Sequence, residues 1–61
     1  MLIDADARLL TKREVARWLK IAPQTVVRMA RRGDLPGRRV GNRWRFVQAE
    51  IRQWLLAGGR S

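Results

Sequence analysis

The sequence predicts a mainly α-helical domain that carries one small β-hairpin. Two short amphipathic patterns with a helical period lie a few residues apart, between about residues 12 and 32. A segment with a two-residue period follows them, and a third helical pattern ends at a pair of glycines. A chain of 61 residues forms one domain at most, so these elements must share a single core.

The first helix is predicted from residue 12 to residue 19. Thr11 and Glu14 have the spacing of a capping box, in which the threonine hydroxyl accepts from the Glu14 N–H and the carboxylate accepts from the Thr11 N–H. We expect Leu9 and Leu10 to pack just before this helix. The apolar stripe of the helix, which we expect to face the core, is Val15, Ala16, Trp18 and Leu19.

The second helix is predicted to begin at Pro23 and to end near Arg32. Proline has no N–H to lose at the first helical position, and it favours the extended conformation of an N-cap at Ala22. Gly33 has the position of the left-handed residue that ends a helix, and Pro36 prevents early resumption. Only three or four residues join the two helices, so the pattern predicts a helix-turn-helix.

The stretch from residue 38 to residue 46 alternates with a two-residue period and predicts a tight β-hairpin around the turn Gly41-Asn42. The alternation directs Trp44 and Phe46 to the core. The intervening side chains then face solvent or a ligand, and they are Arg43 and Arg45.

A third helix is predicted from about residue 48 to residue 57. Ile51, Trp54 and Leu55 form its apolar stripe, and we expect it to pack over the first two helices. The predicted organisation is a flexible lead-in at 1–8, a domain at 9–57 and a flexible tail at 58–61.

The chain is strongly basic. Fourteen lysines and arginines stand against five acids, which gives a net charge of +9 and an isoelectric point near 12.0. Twelve of the fourteen are arginines, whose forked side chains suit phosphate and guanine, so we expect a polyanionic partner. No apolar run exceeds four residues and no signal peptide is visible, which disfavours a membrane protein and favours a cytoplasmic one.

Catalysis, metal binding and a cofactor are not expected. The chain has no cysteine and no histidine, and its five acids are scattered, so neither a zinc site nor a hydrolytic centre can be assembled from the usual residues. Apolar residues make up 46% of the chain and include three tryptophans, which is too apolar for a disordered polybasic tail. The sequence therefore predicts a folded binding module, with the tryptophans in its core.

The second helix carries the candidate recognition surface. With Val26, Met29 and Ala30 on its buried side, the helical period of 3.6 residues directs another set of side chains away from the core. That set is Gln24, Arg28 and Arg31, flanked by Thr25, Val27 and Arg32. Glutamine pairs with adenine and arginine with guanine in the major groove, and the helix N-terminus at Pro23 favours a phosphate.

An outward arginine is usually part of an ordinary solvated surface, where charges of both signs are mixed. Here the arginines of the second helix stand beside those of the hairpin, with Asp34 as the single acid among them. Such crowding of like charges is unfavourable unless an anion neutralises it. The hairpin arginines are Arg38, Arg39, Arg43 and Arg45.

A set of short motifs across residues 9 to 56 resembles one family. The motifs are Leu9-Leu10-Thr11, Glu14-Val15-Ala16, Pro23-Gln24-Thr25-Val26, Arg31-Arg32-Gly33-Asp34-Leu35-Pro36, Val40-Gly41-Asn42-Arg43-Trp44-Arg45-Phe46 and Ile51 to Leu55. Together they resemble the excisionase-type, MerR-like winged helix-turn-helix family. The resemblance implies a recognition helix in the major groove and a hairpin wing on the minor groove or backbone. It also implies a role as an excision factor or small transcription regulator.

The predicted DNA contacts fall into three groups. On the recognition helix they are Pro23, Gln24, Thr25, Val27, Arg28, Arg31 and Arg32; on the wing, Arg38, Arg39, Asn42, Arg43 and Arg45; and on the first helix, toward the backbone, Thr11 and Arg13. The chain departs from the family pattern at Lys20, where glycine is common, at Ala22, where serine is common, and at Arg38, where an apolar residue is common.

The expected partner is double-stranded DNA, joined by a site-specific recombinase or RNA polymerase. We expect a monomer in solution that assembles cooperatively on repeated sites, associated with the nucleoid. Two other functions stay open at this point: binding of structured RNA, which the charge equally permits, and docking of an acidic partner protein by a basic adaptor.

Overall fold

The computed structural model describes residues 8–59. The elements in chain order are β1 (Leu9–Leu10), α1 (Lys12–Leu19), α2 (Pro23–Arg32), β2 (Arg38–Val40), β3 (Arg43–Val47) and α3 (Gln48–Leu56). The strands form a three-stranded antiparallel sheet in the order β1-β3-β2. This architecture confirms the predicted winged helix-turn-helix. The lead-in predicted at 1–8 lies outside the described residues except for its last position, and so does the end of the predicted tail.

The capping box at the start of α1 is confirmed. The Glu14 N–H donates to Thr11 Oγ1 at 3.2 Å, and the Thr11 N–H donates to Glu14 Oε1 at 2.8 Å. The hydrogen bond from the Thr11 backbone, helped by the Thr11 hydroxyl and by Arg8 and Arg17, lowers the pKa of Glu14 below its ordinary value. The boxed residues therefore fix the first turn of α1.

The turn between α1 and α2 contains a left-handed residue without glycine's freedom. Lys20 has φ 60° and ψ 45°, and it is the one non-glycine residue with positive φ in the described chain. Its N–H donates to the Ala16 carbonyl. Ala22 is extended and caps α2 with no side-chain hydrogen bond, and Gly33, at φ 85°, ends that helix as predicted.

The sheet contains a pairing that the sequence analysis missed. Leu9 pairs with Val47 and Leu10 with Phe46, so the chain before α1 forms an edge strand rather than a simple packing contact. The Gln48 N–H donates to the Arg8 carbonyl at 2.8 Å, just beyond this pairing. That bond satisfies an N–H at the start of α3, where Val47 has no side chain able to cap the helix.

The core lies between the three helices and the sheet, and it includes Leu35 from the loop after α2. Phe46 is fully buried, and a Cβ added at Gly37 would lie 2.7 Å from its ring, so this loop approaches the ring as closely as glycine allows. The buried apolar residues are Leu10, Val15, Ala16, Val26, Ala30, Leu35, Phe46 and Ile51.

Two predicted core residues are exposed, and both predictions are wrong. Trp18 is 37% exposed and Leu55 is 39% exposed, because each lies at the flank of its helix stripe and no element between residues 8 and 59 covers it. The third helix packs mainly against β3 rather than over the first two helices. Trp54 still links α3 to the loop that follows α2, because the Trp54 Nε1–H donates to the Asp34 carbonyl at 2.8 Å.

Candidate nucleic-acid interface

The outer face of α2 is formed as the helical period predicts. Val26 is fully buried and Ala30 is 9% exposed, so the opposite side of the helix faces away from the core. The side chains there, all exposed, are Gln24, Arg28 and Arg31. Proline at the first helical position and glycine at the end hold α2 to ten residues. The result is a short rod with a hydrogen-bonding outer surface.

The wing presents arginines on both of its faces. In an antiparallel ladder, directly opposite residues lie on the same face. Arg39 is opposite Trp44, whose ring stacks on Phe46 with centroids 6.3 Å apart, so Arg39 projects on the face that packs against the core. The other face carries two cross-strand pairs, Arg38 with Arg45 and Val40 with Arg43.

The turn at the wing tip suits glycine. Gly41 has φ 64° and Asn42 does not have a positive φ, which is the combination of a type II′ hairpin turn. Such a turn matches the twist of the flanking strands. It therefore fixes the register of β2 on β3 and with it the faces on which the arginines project.

A groove of about 550 Å³ lies between α2, the start of α1 and the wing. We name it the basic groove. Among the described residues, ten line this groove; six of them are lysine or arginine, and none of the ten is acidic. The lining residues are Thr11, Lys12, Arg13, Val27, Arg31, Arg39, Asn42, Arg43, Trp44 and Arg45. Three segments far apart in the chain thus bring their cations to one concave surface.

A second depression, of about 420 Å³, adjoins the basic groove along α2. We name it the helix depression. It is lined by Lys12, Gln24, Val27, Arg28 and Arg31. Lys12, Val27 and Arg31 line both concavities, so the two form one continuous surface from the wing to the N-terminal half of α2.

The cations of this surface are not neutralised by described carboxylates. Across residues 8–59, ion pairs within 4.0 Å join Arg32 to Asp34, at 3.5 Å, and Arg38 to Glu50, at 2.7 Å. Both arginines lie outside the two concavities. Arg45, which lines the groove, is half-buried and donates from Nη1 to the Trp44 carbonyl at 3.0 Å. The groove therefore keeps a concentrated positive charge that an external anion can neutralise.

The structure brings ten of the predicted contact residues to this surface. In the basic groove or the helix depression lie Thr11, Arg13, Gln24, Val27, Arg28, Arg31, Arg39, Asn42, Arg43 and Arg45. Four others line neither concavity, namely Pro23, Thr25, Arg32 and Arg38. Pro23 and Thr25 are half-buried at the start of α2, and the two arginines have carboxylate partners.

Two lining residues were not among the predicted contacts: Trp44, which was predicted for the core and packs against it, and Lys12. Lys12 is the first residue of α1, directly after the N-cap Thr11, and it lines both concavities. The signal was present, because Thr11 and Arg13 were both predicted to contact the backbone and the residue between them shares the same turn. Side chains of a helix tilt toward its N-terminus, so a side chain in the first turn can extend beyond the start of the helix. A projection of the apolar stripe down the helix axis does not show this.

The described residues offer neither a metal site nor a membrane span. No three aspartate, glutamate, histidine or cysteine side chains among them come close enough to hold a metal ion. None of the helices at residues 12–19, 23–32 and 48–56 has the length and apolar character needed to cross a bilayer.

The fold and its basic surface define a DNA-binding helix-turn-helix protein. A family model described as "Helix-turn-helix domain" matches residues 9–59, which is most of the chain. The chain belongs to this excisionase-like helix-turn-helix family. No curated protein and no solved structure was found to match it.

Proposed function

We propose that this protein reads a preferred sequence in double-stranded DNA and performs no catalysis. In this proposal α2 lies in the major groove and the wing lies on the adjacent minor groove or backbone. The observation that supports it is the continuous concave surface in which lysine and arginine predominate and to which no acid of residues 8–59 contributes. The outer face of α2 forms one wall of this surface. The family membership supports DNA as the partner.

The dimensions agree with this arrangement. An α-helix with its side chains is about 10–12 Å across, and the major groove of B-form DNA is about 12 Å wide. The residues on the outer face of α2 are of the kinds that read base edges, since glutamine pairs with adenine and arginine with guanine. The lysines and arginines around the groove would hold the phosphates on either side.

The biological role we propose is that of an excision factor for site-specific recombination or of a small transcription regulator. A single module of this size buries only about 600–1,000 Å² on DNA, which supports weak binding by one copy. We therefore propose a monomer in solution that assembles cooperatively on repeated sites, with a recombinase or RNA polymerase as protein partner. A cytoplasmic, nucleoid-associated location follows from this role.

The salt dependence of binding tests the proposal. With about six phosphate contacts, affinity for mixed-sequence duplex DNA should fall about 10³-fold between 50 and 200 mM salt, because each contact releases condensed counterions. Fluorescence polarisation with a labelled duplex gives this slope directly. A flat response would contradict DNA binding and favour the basic adaptor.

Competition with RNA separates the two nucleic acids. The major groove of A-form RNA is too narrow and deep for a helix, so duplex RNA should be a poor competitor at equal mass. Displacement of the DNA by duplex RNA would overturn the placement of α2 in a major groove. Selection from a random duplex pool would then give the preferred site, and regularly spaced repeats in it would support cooperative assembly.

A further inference from the structure

Val27 is an apolar residue on a surface lined mainly by hydrogen-bonding side chains. It lines both the basic groove and the helix depression. The other four residues of the helix depression all carry hydrogen-bond donors, and they are Lys12, Gln24, Arg28 and Arg31. An apolar residue at the junction of the two concavities requires a reason other than solubility or charge.

The core does not supply that reason. Val26, the preceding residue, is fully buried and belongs to the core cluster. Val27 is half-buried, yet it belongs neither to that cluster nor to the partly buried side chains that pack against it. Its methyl groups therefore line the open surface where a ligand would lie.

We propose that Val27 recognises the C5-methyl group of a pyrimidine in the major groove. This inference rests on the proposed function. Base edges in that groove display donors and acceptors together with one apolar group, the C5-methyl of thymine, which 5-methylcytosine also carries. Contact with valine removes both methyl groups from water, whereas a polar base edge placed there would lose its hydrogen bonds to water without replacement.

Helix geometry gives the position of the methylated base. Val27 lies three residues after Gln24 and four before Arg31, which is about 4.5 Å and 6 Å along the axis at about 1.5 Å per residue. Successive bases are about 3.4 Å apart along a strand. With the helix axis along the groove, the methylated base lies about one to two base pairs from those that Gln24 and Arg31 contact.

Replacement of thymine by deoxyuridine tests the proposal, because it removes the methyl group and leaves the pairing unchanged. Each thymine of the selected site is replaced in turn, and duplex affinity is measured for the wild type and for Val27→Ala. We expect one replacement to weaken wild-type binding about fourfold, as for loss of one buried methylene-sized group. The Val27→Ala protein should bind the thymine and deoxyuridine duplexes equally.

A second arm distinguishes the two sources of the methyl group. Deoxycytidine and 5-methyldeoxycytidine are compared at the same position. The methyl group should raise the duplex affinity of the wild type about fourfold and leave that of Val27→Ala unchanged. The matched control is Val40→Ala, since Val40 is 61% exposed on the wing and lines neither concavity. That variant should keep the full response to the methyl group.

The outcomes separate this inference from the function on which it rests. Salt-dependent duplex binding with no sensitive thymine, or with equal sensitivity in Val27→Ala, overturns the role of Val27 and leaves DNA binding intact. Absence of salt-dependent duplex binding overturns both. If Val27→Ala fails to fold in thermal unfolding, Val27→Thr takes its place, because it keeps the branched shape and replaces one of the two methyl groups by a hydroxyl. Its response to the base methyl group should be smaller than that of the wild type, and an unchanged response overturns the role of Val27.

Discussion

Glu50 Oε2 accepts a hydrogen bond from Arg38 Nη2 at 2.7 Å, so a carboxylate of α3 holds the first residue of the wing. Arg38 lies directly opposite Arg45 in the hairpin, and like charges at such positions repel. The ion pair offsets that repulsion. It also draws one arginine of the pair toward α3, while the other lines the basic groove.

Glu50→Gln should therefore release Arg38 as an additional phosphate contact. We expect tighter binding to mixed-sequence DNA and a salt dependence steeper by about one unit of log–log slope. Stability should change by less than about 1 kcal/mol, because both side chains are partly exposed. Affinities measured across a salt series check this.

Arg38→Ala is the control for that effect. In the wild type it should leave the salt slope unchanged, and in Glu50→Gln it should abolish the gain. A reduced slope for Arg38→Ala alone would show that Arg38 already contacts DNA while paired with Glu50.

Lys20→Gly should stabilise the domain by about 0.5 kcal/mol. A left-handed conformation costs a non-glycine residue about 1–2 kcal/mol, and glycine avoids this cost. Glycine's larger conformational freedom in the unfolded chain cancels part of the gain in stability. Lys20→Ala removes the same charge but keeps the strain, so it should bring no such gain. Thermal unfolding compares the two variants, and equal melting temperatures would contradict the strain at this turn.

Gly37→Ala should destabilise the fold by about 1–3 kcal/mol through overpacking. The added Cβ would lie 2.7 Å from Phe46 Cε2 and 3.3 Å from Trp44 Cε3, and Phe46 is fully buried and cannot yield easily. The cost should shrink in a Phe46→Leu background, as measured by a double-mutant cycle. Gly41→Ala, where no atom lies within 4 Å but φ is 64°, should show no such coupling to Phe46.

The capping box should make stability fall in acid. The lowered pKa of Glu14 means that its carboxylate stabilises the folded chain at pH values above its ordinary pKa, near 4.5. This contribution is lost as the pH falls through the lower folded-state pKa. Glu14→Gln lacks this carboxyl group, and the remaining acidic residues are the same in both proteins, so the wild type should lose more stability than Glu14→Gln on acidification. Parallel melting curves from pH 7 to pH 3 would contradict this.

The helices and the hairpin were predictable because their signals are local. The residues that define the helix ends act locally: Thr11 caps a nearby backbone N–H, and Pro23 and Gly33 act through their own φ. A short window of sequence therefore contains what determines these helix ends. The Gly41-Asn42 turn likewise fixes the hairpin from within. The bounds of α1 and α2 in the structure are those predicted from these residues.

The rest depends on contacts distant in sequence. Leu9 and Leu10 become a strand only because β3 offers its free edge, and two residues carry no period that reveals this. Trp18 has the composition of a core residue, but its burial depends on whether an element covers it, and none in the described chain does so fully. The pairing of Arg38 with Glu50 likewise requires α3 to lie beside the wing.

Arg28→Ala and Arg43→Ala should have different effects on DNA binding, because the two residues line different concavities. Arg28 lines the helix depression on the outer face of α2, where base edges are read, and its loss should relax sequence preference by about 1–3 kcal/mol. Arg43 lines the basic groove at the wing, and its loss should weaken binding to every sequence alike and reduce the salt slope by about one. Affinities for the selected site and for mixed-sequence DNA, each across a salt series, separate preference from charge. Equal loss on both DNAs from both variants would show that α2 does not read bases, because a purely electrostatic surface does not distinguish the two positions.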